Sequence, residues 1–190
     1  MSAQTGTIQE TGLPQAGVWQ AEPAHTTIEF VAKHLMITNV RGRFGEFDAR
    51  IELADDPADS RVEASIKTAS IDTNAPQRDG HLKSPDFLDV ENYPEITFTS
   101  TRIERAGDSK FKVTGAFKIK DVSRPLTLAV EFLGDTVGPL GPVAVFSVRG
   151  EFNREDYGMN WNQALESGGW LVSKKVRIEI EAEFVRPTES

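Results

Sequence analysis

The chain reads as a single all-β domain. Three observations predict it: apolar residues recur with a period of two, turn-forming residues punctuate those runs, and helical spacing is rare. Strict alternation puts one row of side chains inward and the other into water, which is the signature of a half-buried strand.

About eight strands follow in order. The first, 27–35, opens with Ile28-Glu29-Phe30-Val31-Ala32, and the second, 40–53, carries Phe47-Asp48-Ala49-Arg50-Ile51-Glu52-Leu53. Phe44 and Phe47 are an odd number apart, so a bulge near Gly45 is needed to keep both rings inside. The third, 61–71, contains Val62-Glu63-Ala64-Ser65-Ile66. Arg78 to Val90 then breaks the rhythm as a short helical or turn-rich excursion, with Ser84 as N-cap and Pro85 at the first helical position. Strands resume at 95–105, 110–120 and 125–133, where Pro94 and Pro125 stand at the starts. Gly134 to Pro142 reads as a turn-rich hairpin loop before a strand at 143–153. Glu155 to Lys174 is a long connection of the kind that carries function or mobility. The last strand, 175–186, alternates most clearly of all, from Val176 to Phe184. Residues 1–17 read as a loosely held tail, 18–186 as the domain and 187–190 as a C-terminal tail.

Composition excludes several functions. The formal net charge of -8 argues against a general nucleic-acid binder, which needs a cationic surplus. No apolar run approaches the ~20 residues of a membrane-spanning helix. The Met1–Gly17 segment has neither the basic start nor the apolar stretch of a signal peptide, so a cytoplasmic location is expected. With no cysteine, disulfides, thiolate metal sites and Cys nucleophiles are absent.

The polar motifs are weak. His25, His34 and His81 lack the short spacing of a zinc site, and no metal or cofactor is expected. No nucleophile elbow, P-loop or dinucleotide fingerprint occurs. Arg78-Asp79-Gly80-His81, with Asp86 and Asp89 close behind, clusters charge around an imidazole, and two readings stand: a polar turn fixing its own backbone, or a catalytic group.

The apolar inventory carries more. Ten of the 11 phenylalanines lie in the expected strands, Phe87 being the exception. About eight strands make a small barrel, either filled by side chains or just wide enough for one ligand, while a two-sheet sandwich would fill itself. Composition leaves these alternatives open.

Several motifs together resemble the YceI-like family of polyisoprenoid-binding, lipocalin-like barrels. They are Trp19 followed by Ala24-His25-Thr26-Thr27-Ile28-Glu29-Phe30 and Lys33-His34, then Val40-Arg41-Gly42-Arg43-Phe44. The most specific block runs through Ser70-Ile71-Asp72-Thr73, Arg78 to Phe87 and Tyr93-Pro94-Glu95-Ile96-Thr97-Phe98. Gly115-Ala116-Phe117 and Arg154-Glu155-Asp156-Tyr157-Gly158 follow. One departure is Asp121-Val122-Ser123-Arg124-Pro125, where the family usually has Gly before Val and Thr.

The resemblance implies an elongated, eight-stranded antiparallel barrel, with a short helical excursion after the third strand. It implies a long isoprenoid-type chain, such as a polyprenyl quinone or its precursor, sequestered or transported in an apolar tunnel without a catalytic set. Such a tunnel would be lined by Phe30, Phe44, Val62, Ile66, Phe98 and Val113 from the first half of the domain. Phe117, Leu128, Phe132, Phe146, Ile178 and Ile180 would line it from the second. Asn160, Trp161, Asn162 and Trp170 would form a mouth or lid, indoles stacking over a ring head group, or else belong to a loop that simply seals the barrel end. The rival readings are an enzyme acting on such a lipid through Arg78 to His81, and a filled barrel serving as an interaction module. Long β segments also make a homodimer plausible.

Overall fold

A computed structural model describes residues 12–187. Its strands are β1 (Gly17–Ala21), β2 (Thr27–His34), β3 (Thr38–Phe44), β4 (Phe47–Leu53), β5 (Arg61–Lys67) and β6 (Ile71–Asp72). After the helix α1 (Pro76–Lys83) come β7 (Glu95–Arg105), β8 (Lys110–Ile119), β9 (Val122–Gly138), β10 (Gly141–Asn153) and β11 (Val172–Val185). All pair antiparallel, and β1–β4–β5–β7–β8–β9–β10–β11 closes into a ring of eight through the β1–β11 pairing.

The eight staves are the eight expected runs, three of them broken. β1 and β2 lie in line along β11, interrupted by a 3-10 turn at Pro23–His25. β3 and β4 form the next stave, and β5 and β6 the third. The sequence reading lacked β1. It also merged 40–53, where the chain turns a corner at Gly45–Glu46 instead of bulging: Gly45 N donates to Ser70 O (3.2 Å) and Lys67 N to Glu46 O (2.9 Å). Both Phe44 and Phe47 still face inward.

Two further expectations are corrected. The Gly134–Pro142 loop shrinks to the turn at 139–140, because β9 and β10 stay paired out to Gly138 and Gly141. The helix starts at Pro76, not after Ser84, which sits at its C-terminal end and donates its Oγ–H to His81 O (2.7 Å). Both prolines follow residues in extended backbone, but only at Pro76 does a complete helical turn follow.

Alternation does the packing. Along β8, Phe111, Val113, Phe117 and Ile119 are buried while the lysines between them face water. One core cluster gathers Trp19, Ile51, Phe132, Ala144, Phe146 and Phe184; the other gathers Phe87, Leu88, Phe98, Phe117, Tyr157 and Met159. Among the described residues β6 has no partner on its β7 side, and residues 73–94 cover that gap, with Phe87 and Leu88 buried beneath. Of the segments expected to be tails, 1–11 and 188–190 lie outside the described residues.

Candidate ligand-binding site

The barrel is not filled. A cavity of about 680 Å³ runs inside it, walled almost wholly by apolar side chains. Of the twelve side chains named for the lining, Phe30, Phe44, Val62, Ile66, Phe98, Val113, Phe117, Leu128, Phe146, Ile178 and Ile180 border it. Phe132 does not. Its ring lies 5.5 Å from that of Phe146, which does border the cavity. Alternation fixed the direction of Phe132 but not its depth in the core.

Sequence reading missed several lining groups. Ala32, Ala49 and Ala64 keep the bore wide because their side chains are short. Leu13, Pro14, Gln15 and Ala16, from the segment expected to be a loose tail, border the cavity, joined by Asp55 and Ser60 from the β4–β5 connection. Trp19 Nε1 donates to Gln15 O (3.0 Å) and Arg186 Nη1 to Gln15 Oε1 (2.6 Å), which pins this segment.

Three glycines, Gly42, Gly115 and Gly150, make room for lining side chains, the first two for rings. A Cβ at Gly42 would come within 2.2 Å of the Phe30 ring, and one at Gly115 within 2.5 Å of the Phe98 ring. Each ring therefore occupies the space over a glycine in the neighbouring strand, where a Cβ would otherwise stand.

At the opposite end, residues 154–171 close the barrel, and the four residues named as a mouth take separate roles. Trp161 packs edge-on against His81 (4.5 Å) and at 5.7 Å from Phe87, outside the lining. Asn162 laces the connection to β11: its Nδ2 donates to Val172 O (2.8 Å) and its Oδ1 accepts from Val172 N (3.1 Å). Asn160 is exposed, and Trp170 is 46% exposed. None of the four touches the lumen; Met159 and Val172 do.

The organiser of this end is Arg154, only 3% exposed and bordering the cavity. Its Nε donates to Ser173 O (2.9 Å), its Nη1 to Met159 O (2.6 Å) and Trp161 O (2.9 Å), and its Nη2 to Val172 O (3.4 Å). The guanidinium also lies 5.8 Å over the Phe87 ring. Burial pulls it down from its ordinary value, but an arginine so placed keeps its charge. Burial likewise pushes up the Tyr157 phenol, which packs on Phe117 and Phe152. The Arg154…Gly158 motif was visible in the sequence; its carbonyl partners were not, because two of them lie across the loop on β11.

The Arg78–His81 cluster is spent on its own backbone. Asp79 Oδ1 accepts from Thr73 N (2.9 Å) and Thr73 Oγ1 (2.5 Å), while Arg78 donates to Thr73 Oγ1 (2.7 Å) and Thr73 O (2.8 Å). His81 Nε2 pairs with Asp86 (2.9 Å), and none of the three borders the cavity. Glu22, His25 and Glu183 bring potential ligand atoms within 4.8 Å of one another, a grouping from opposite ends of the chain that spacing could not reveal. His25 Nδ1 is there engaged by Glu22 at 2.8 Å.

A model of the YceI-like domain matches residues 19–184. The chain belongs to the YceI-like family. This YceI-like chain is 40% identical over 164 residues to UPF0312 protein SAS2572 of Staphylococcus aureus, covering 85% of this chain and 93% of that protein. Its fold is similar to that of Burkholderia cenocepacia BcnA, with a TM-score of 0.76 at 21% identity, covering 86% of this chain and 98% of the other. It is also similar to a polyisoprenoid binding domain from Saccharophagus degradans implicated in plant cell wall breakdown. That match has a TM-score of 0.63 at 15% identity, over 91% of this YceI-like chain and all (100%) of the other. Both structural likenesses speak to the shared barrel. No helix among the described residues is long and apolar enough to cross a membrane.

Proposed function

We propose that the chain binds a long isoprenoid-type lipid, such as a polyprenyl quinone or its precursor, and sequesters or carries it inside the barrel. The cavity carries this reading. Protein interiors hold few voids larger than a water molecule. At ~24 cal/mol per Å³, a cavity of about 680 Å³ left without apolar contents would forfeit ~16 kcal/mol, more than the ~5–15 kcal/mol net stability of a domain. Water is a poor occupant, since it needs two to four polar partners and the walls offer mainly phenyl rings and methyls. A chain of methylenes and methyls is a good one, gaining ~0.8 kcal/mol per buried CH₂.

The family supports the same reading, as does the name of the Saccharophagus degradans domain of like fold. Arg154 and Met159 on one side and Leu13–Ala16 on the other border the cavity and suit retention, so the lipid is held in transit or storage and not merely adsorbed. The test is organic extraction of the purified protein with mass spectrometry, native mass spectrometry giving the stoichiometry. One isoprenoid chain per barrel is expected. A lipid-free protein that also refuses added prenyl quinones overturns the proposal.

A further inference from the structure

The hairpin joining β2 to β3 breaks two rules at once. Its tip is Leu35-Met36-Ile37, with Leu35 at φ +53° and Met36 at φ +62°. Ile37 N donates to His34 O (3.1 Å), closing a turn whose two central residues are both left-handed. That geometry favours Asn-Gly, and bulky side chains are strained in it. All three residues are also exposed, at 43%, 50% and 82%. A sequence selected for stability alone would place small polar residues here.

The tip does not stand alone. Leu35 N donates to Leu171 O (2.9 Å), and Met36 Cγ lies 3.4 Å from where a Cβ on Gly169 would be. This brings the exposed Trp170 beside the hairpin, so two segments far apart in sequence build one apolar knob. Its flanks carry lysines. Lys33, Lys174 and Lys175 lie beside it, with Glu166 in the same loop, on a chain of net charge -8. Lys174 and Lys175 are 54% and 68% exposed while reaching Glu155 (3.1 Å) and Glu151 (3.0 Å). The strands that carry the knob also carry cavity wall, through Ala32 and Val172.

We infer that this knob docks on the surface of a lipid bilayer, Met36, Ile37 and Trp170 entering the boundary between head groups and acyl chains while the lysines meet lipid phosphates. A tip of large apolar residues with exposed lysines beside it is the composition that inserts shallowly into an interface. Strain at Leu35 and Met36 holds the apolar side chains outward, where a relaxed turn would not need them. The surface is read independently of the cargo: extraction tests what fills the barrel, vesicle binding tests what the barrel touches, and either result can fail alone.

The experiment floats the full chain with vesicles of phosphatidylcholine, alone or mixed with phosphatidylglycerol, and reads Trp170 by quenching with brominated lipid. Binding is expected, stronger with phosphatidylglycerol and weaker in salt, with quenching lost in Trp170→Phe. Ile37→Asp should lower vesicle partition at least tenfold at unchanged melting temperature. Leu35→Asn/Met36→Gly should lower partition as well yet raise the melting temperature by a few degrees, a pair of opposite signs that misfolding does not produce. The inference is overturned by absence of binding to both vesicles, by binding without Trp170 quenching, or by a dimer in light scattering that Ile37→Asp dissolves, which would make a second copy of the chain the occupant.

Discussion

Gly42→Ala tests whether the lining rings need glycine beneath them. The added Cβ would sit 2.2 Å from Phe30 Cζ, 2.5 Å from Cε1 and 2.8 Å from Thr73 Cγ2, where ordinary contact begins near 3.4 Å. The backbone of β3 is held on both sides, by β2 and by the β6 pairing at Arg43 and Phe44. The Phe30 ring must therefore move more than an ångström, and its free direction is the lumen. Such overpacking costs ~1–3 kcal/mol, and at ~2–4 °C per kcal/mol for a chain of this size the melting temperature should fall by ~2–12 °C. Gly115→Ala should cost more, because its Cβ also meets the Thr99 carbonyl oxygen at 2.5 Å, and backbone cannot retreat as a ring can. Thermal unfolding followed by circular dichroism reads both, and a double-mutant cycle with Phe30→Leu isolates the contact. The cycle should recover at least ~1 kcal/mol at Gly42. If Gly42→Ala melts with the parent, or Phe30→Leu fails to rescue it, the account of the bore is wrong.

Arg154→Met should destabilise by ~3 kcal/mol or more in urea, because buried carbonyls lose their donors at ~1–3 kcal/mol each. Arg154→Lys should recover only part of this, since an ammonium cannot span the carbonyls of Met159, Trp161 and Ser173 together. Trp161→Ala removes an edge-on contact to His81 and a tilted one to Phe87, worth ~1–2 kcal/mol together, so a bound prenyl probe should dissociate ~5–30-fold faster in stopped flow. The Arg41 hydrogen bond (2.7 Å) holds the Glu179 carboxyl below its ordinary range. That stabilisation is present above the unfolded carboxylate value of ~4.3 and is lost as pH falls through the lower folded one. Arg41→Gln should therefore flatten the acid side of the stability–pH curve and narrow its gap to the parent below that window, measured by urea midpoints across pH.

Much of the barrel was legible because alternation is a local property. Val176 to Phe184 declares its inner and outer faces without reference to any other strand, and so do Phe111 to Ile119. Eleven of the twelve lining side chains follow from the same parity, since an inward residue in a ring of eight strands faces either the lumen or a neighbour that does. The family motifs added the shape of the barrel; β1, although it carries Trp19, is too short to show a period and was missed.

What needed the folded molecule depends on contacts across long sequence separations. The corner at Gly45–Glu46 exists because Ser70 and Lys67 offer hydrogen bonds there. The helix start at Pro76 is a shorter-range exception, where Thr73 anchors Arg78 and Asp79. Parity could not tell Phe132 from Phe146: both are buried and they pair across β9 and β10, and only the folded barrel decides which of them borders the cavity. The apolar knob joins Met36 to Gly169, and Arg154 reaches carbonyls on β11, through space that no one-dimensional period describes. Strand identity is written in the spacing of neighbours; the cavity is the volume left when eight such strands close, and only closure sets its size.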